Sequence, residues 1–93
     1  MVGGTLGTKT KDPDETLDYT VDWTEFLGAD TIHSVTWTVP VGIVNVTTNF
    51  TDTTATIWIS GGTLGSRYMI NCMITSHANR IGDRSFVIKI QQK

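Results

Sequence analysis

The sequence predicts an all-β fold, an antiparallel β-sandwich of about seven short strands. Three observations lead there. Seventeen of the 93 residues are threonine, a β-branched residue suited to a pleated, half-exposed surface. Strong helix formers are scarce, with three alanines and two glutamates in the chain. Apolar residues recur at period two in short runs, and Gly, Pro, Asn and Asp separate those runs at the roughly 8–12-residue spacing of a sandwich. A chain of this length supports one domain with a modest core, burying about 60–65% of its unfolded surface.

Residues 1–11, MVGGTLGTKTK, read as a flexible N-terminal arm, because glycine and threonine surround only Val2 and Leu6 as large apolar groups. The sandwich is then expected over residues 12–93. Asp12-Pro13-Asp14-Glu15 is a turn. Leu17, Tyr19 and Val21 alternate with Asp18, Thr20 and Asp22, the pattern of a half-buried strand. Asp22 to Gly28 breaks that period and predicts one helical turn or a wide turn, with Trp23 and Leu27 four apart and Gly28 as its stop. Thr31–Val39 is the next strand, in which a bulge would let both Ile32 and Trp37 reach the core. Ile43–Phe50 and Thr53–Ser60 follow, the latter with Ala55, Ile57 and Ile59 inward and Trp58 outward. Gly61 to Gly65 makes a sharp connection. Arg67–Thr75 places Tyr68, Ile70, Cys72 and Ile74 inward and Met69 and Met73 outward. A loop at Ser76–Gly82 precedes the last strand, Arg84–Gln91, with Phe86, Ile88 and Ile90 inward.

The formal net charge is −2 and the pI about 5.4, which argues against a nucleic-acid partner, since such proteins present a basic face. No apolar run approaches the roughly 20 residues of a membrane-crossing helix, and the start lacks the basic and apolar regions of a secretory signal. Cys72 is the only cysteine, so no intrachain disulfide is expected. Charge is unevenly distributed. Residues 1–30 carry seven acids against Lys9 and Lys11, whereas residues 31–93 carry two acids against five bases.

Catalytic chemistry finds little support. His33 and His77 are too few for a zinc site. Cys72 sits at an inward position, where a thiol behaves as a small core group rather than a nucleophile. Asp12, Asp14, Glu15, Asp18 and Asp22 lack the spacing of a calcium loop and read as a solvated acidic edge. Gly61, Gly62 and Gly65 are followed by neither the Lys-Ser/Thr pair nor the helix of a phosphate-binding loop. No catalytic residue, metal or cofactor is therefore expected. The candidate sites are partner contacts: Trp58, Met69 and Met73 from the outward positions, and Leu6 and Val2 from the arm. Tryptophan is a favoured interface anchor, and two outward methionines would form an apolar patch.

Tyr68 opens a strand after the Gly65 turn, four residues before Cys72, a placement similar to the tyrosine corner of immunoglobulin-like domains, where the interval is two. KDPDETLDYTVDW (Lys11–Trp23), WTVPVGI (Trp37–Ile43), TTATIWISGGTLGSRYMINCMITS (Thr53–Ser76) and DRSFVIKI (Asp83–Ile90) together resemble the fibre–tail adaptor proteins of tailed phages. That resemblance implies an immunoglobulin-like β-sandwich, a structural and non-enzymatic role in the virion tail, synthesis in the host cytoplasm, and contact with other tail or fibre proteins in a symmetric assembly of several copies, with no nucleic acid or membrane. A capsid decoration protein and a carbohydrate-binding adhesion module, with Trp58 as a stacking platform, are the alternatives. The chain departs from the family pattern in its arm and in the loop Ser76-His77-Ala78-Asn79-Arg80, which lacks a glycine before Arg80.

Overall fold

The computed structural model describes residues 4–92. Seven strands form two stacked sheets: β1 (Gly4–Lys11), β2 (Leu17–Asp22), β3 (Ile32–Thr38), β4 (Ile43–Phe50), β5 (Thr54–Gly61), β6 (Arg67–Ser76) and β7 (Ile81–Ile90). The first sheet has the order β1-β7-β6-β3 and the second β2-β5-β4. The single helix described, α1 (Thr24–Leu27), is one turn long.

The period-two expectations set the core. Ile57, Ile59, Ile70, Cys72, Ile74, Ile88 and Ile90 are fully buried between the sheets, with Phe86 and Val21 nearly so. Strand β3 carries a register irregularity between Ile32 and Ser34. That extra residue resets the alternation, so Ile32 is buried and Trp37 packs on the core, as two residues of opposite parity require.

Two expectations are corrected. The segment read as a flexible arm is, over Gly4–Lys11, the edge strand β1, paired parallel with β7 from Gly4↔Arg84 to Lys11↔Ile90. The sandwich therefore begins at β1 rather than at residue 12, and it is not wholly antiparallel. The reason is that strand pairing needs backbone groups rather than apolar side chains, and β7 offers a free edge on which a Gly/Thr segment can pair. Lys11 closes this strand: its buried ammonium donates to Gly61 O at 2.7 Å and Asp12 O at 2.8 Å. The second correction is that β7 starts at Ile81, so the loop expected over Ser76–Gly82 contracts to His77–Arg80. Asn79 adopts φ 65° there. Asparagine tolerates this left-handed conformation better than other non-glycine residues, which accounts for the missing glycine.

Helix α1 is held by side chains rather than by its own length. Trp23 is fully buried, Asp22 Oδ1 accepts from Thr24 N and Thr24 Oγ1, and these bonds hold the Asp22 carboxyl below its usual range. Arg80 donates to Phe26 O at 2.6 Å and stacks on the Phe26 ring. Arg84 stacks on Trp23 and donates to Asp22 O. Gly82 is where β7 passes under this turn: a Cβ there would lie 2.5 Å from Trp23 Cζ3 and 3.1 Å from Phe26 Cζ. Gly82→Ala should therefore destabilise the fold by about 1–3 kcal/mol, the usual cost of overpacking, measured as a shift of the denaturant midpoint. An unchanged midpoint would mean that α1 is free to move away.

Candidate partner-binding surfaces

Alternation within β5 and β6 separates the candidate residues. Ile57 and Ile59 face the core, which turns Trp58 to the outer surface of the β2-β5-β4 sheet, 37% exposed. It lies in register between Asp18 of β2 and Thr47 of β4. Around it the sheet presents short polar groups, including the Thr20–Thr56 hydroxyl pair at 2.8 Å. Strand β1 pairs on the other sheet, so its described residues do not cover Trp58.

Met69 and Met73 are 58% and 39% exposed and lie on the outer surface of the β1-β7-β6-β3 sheet. Met69 is in register with Val87, and Met73 with Asp83 and Thr36. The two methionines therefore share one face, and Trp58 occupies the opposite one. Leu6 belongs to β1, and Val2 lies outside the described residues. Reading parity along the chain identified outward positions, but which outward positions share a surface depends on the assignment of each strand to a sheet.

Residues of chemical interest are arranged as supports. Among the described residues no cluster of three or more His, Cys, Asp or Glu could hold a metal ion. His33 and His77 meet edge to face, 4.9 Å between ring centres, and His77 Nδ1 lies 2.9 Å from Thr31 Oγ1. In the acidic turn, Asp12 Oδ1 accepts from Asp14 N and Glu15 Oε1 from Asp12 N. Tyr68 OH accepts from Thr63 N at 3.0 Å, tying the start of β6 to the preceding connection. A groove of about 460 Å³ runs between β1 and β2, with Lys9, Asp18, Tyr19 and Phe86 in its lining. Burial, reinforced by the charges of Glu15 and Asp18, raises the Tyr19 phenol above its ordinary range, so the group is neutral at physiological pH.

Cys72 is inaccessible, and burial pushes its thiol up to about 12. Native protein should react with a maleimide only as fast as it unfolds, and fast labelling at neutral pH would contradict the burial. Because the folded thiol titrates above its unfolded value, its contribution to stability is intact below about pH 8.5. That contribution declines as pH rises toward 12, and Cys72→Ala should flatten the alkaline limb of the stability profile.

No curated protein matches the chain closely enough to be called a relative. A family model does match, over residues 11–89, and its description is podophage GP4 fiber-tail adaptor protein gp77. The matched span runs from the buried Lys11 to Lys89, one residue short of the end of β7, and includes the Asp22–Trp23 turn, the Trp58 strand and Tyr68. Covering most of the 93 residues, this match establishes that the chain belongs to the podophage fibre–tail adaptor family.

Proposed function

We propose that this protein is a non-enzymatic connector in the phage tail, a small immunoglobulin-type sandwich that joins neighbouring tail and fibre proteins through two opposed outer surfaces. The observation that carries the reading is the placement of exposed apolar anchors on both sheets: Trp58 on one, Met69 and Met73 on the other. A connector needs two separate contacts, and large apolar side chains set among short polar ones are the usual core of such contacts. Membership of the adaptor family supports the same role. Several copies in a symmetric arrangement are part of the same reading.

The test is to assemble particles carrying Trp58→Ser or the pair Met69→Ser and Met73→Ser. Each isolated variant should keep its melting temperature within a few degrees, because the substituted side chains lie outside the core. Particles should lose the protein or their fibres. Normal, fully fibred particles from both variants would overturn the assignment of these two surfaces. Incorporation on the head rather than the tail would favour a decoration role, and glycan binding by the isolated chain that is lost in Trp58→Ser would favour an adhesion module.

A further inference from the structure

From Ser34 to Thr51 the chain holds no Asp, Glu, Lys, Arg or His, eighteen consecutive residues in which the overall 17% charge content would place about three charges. This stretch contains most of β3 and all of β4. Each is the terminal strand of its sheet, and a four-residue connection, Val39–Gly42, joins them. Together they form one flank of the sandwich. The opposite flank is built from β1 and β2, and there the segment from Lys9 to Asp22 holds seven charged residues.

The uncharged flank is also open. Every residue from Val44 to Phe50 is exposed, including those in register with the buried Ile57 and Ala55 of β5, namely Thr48 and Phe50. Inward-directed positions of β4 thus project past the cover of the other sheet. The outer backbone edge of β4 has no strand beside it among the described residues. Edge strands of this kind usually carry lysine, proline or inward charges that block pairing. Strand β4 carries none of these. A register irregularity between Asn45 and Thr47 shortens its regular run without adding charge.

We infer that the β3–β4 flank is the surface through which two copies of this chain associate, flank to flank about a two-fold axis. Charge selects this occupant. Docking the uncharged flank onto the β1–β2 flank of another copy would desolvate Asp18, Asp22 and their neighbours against a wall with no counter-charge, which is costly. Docking it onto itself buries no charge, and an isologous contact needs only one self-complementary surface. The inference stands independently of the neighbours proposed above, which use the two outer sheet faces.

Sedimentation of the purified chain over a range of concentrations tests it. The mass should rise toward twice the monomer value with concentration, and Val46→Glu and Thr48→Lys, both at exposed positions, should hold the protein monomeric with an unchanged melting temperature. A short bismaleimide should link Thr48→Cys chains into dimers but not Thr20→Cys chains, whose substitution lies on β2, and the buried Cys72 leaves the wild type as the unreactive control. A monomer at every concentration overturns the inference, as does a dimer indifferent to both charges or one linked equally through Thr20→Cys. A monomer whose charged variants fail to enter particles would assign the flank to a strand of a different tail protein, which equally overturns association of two copies.

Discussion

Phe86→Ala should cost the domain roughly 3–5 kcal/mol, the range for removing a buried aromatic side chain. The ring is almost wholly buried and is central to the core: its centre is 5.5 Å from that of Tyr19 on β2 and 6.4 Å from that of Trp37 on β3. It therefore bridges both sheets, and its loss leaves a cavity between them. A domain of 93 residues has a total stability of about 5–14 kcal/mol at the usual per-residue value, so this single substitution removes a large part of it. Denaturant titration should show a much lower midpoint with an unchanged slope. Phe86→Leu, which refills most of the volume, should recover more than half of the loss. A wild-type midpoint in Phe86→Ala would show that the ring is not packed between the sheets.

Lys11→Ala should be comparably severe, at about 3–5 kcal/mol. The substitution removes three buried methylenes, each contributing about 0.8 kcal/mol, and an ammonium that donates to Gly61 O and Asp12 O, bonds to a charged donor worth about 1.5–3 kcal/mol. Part of that gain is offset by desolvation of the ammonium, which Lys11→Ala also removes. Lys11→Met separates the two contributions. It keeps the stem and deletes the charge, so it should cost only about 1–3 kcal/mol, the penalty for leaving partly buried carbonyls without this donor. Equal losses in the two variants would assign the whole effect to the head group. Deleting residues 1–10 should also lower the melting temperature, because β7 loses the parallel partner that covers its edge. A truncated chain that melts like the full one would show that β1 contributes no net stability.

Much of this structure is determined locally. The inward faces of β6 and β7 follow from alternation alone, since a strand has two faces and Ile70, Cys72, Phe86 and Ile88 leave no choice about which is buried. The bulge in β3 was not legible in this way: the opposite parity of Ile32 and Trp37 only left room for one, and it took the pairing with β6 to place it between Ile32 and Ser34. The family was legible from four sequence blocks, and the structure gives the reason for one of them: the aromatic and basic residues around Asp22–Trp23 and Arg84 clamp α1 to β7.

Other features were decided only when the sheets assembled. Residues 1–11 have an arm's composition, yet Gly4–Lys11 is a strand, because what recruits it is the backbone edge of β7, some eighty residues away. Nothing near Lys11 in the chain signals that its ammonium will be buried, since one acceptor, Gly61 O, is fifty positions distant. Outward parity marked Trp58, Met69 and Met73 equally, and strand order then sent them to opposite faces. The uncharged run from Ser34 to Thr51 is plain in the sequence, but it becomes a surface only because β3 and β4 each end a sheet on the same side. Periodicity is a property of one strand and its side chains. Neighbour, face and edge are properties of strand pairs, and hydrogen bonds between segments far apart in the chain decide them.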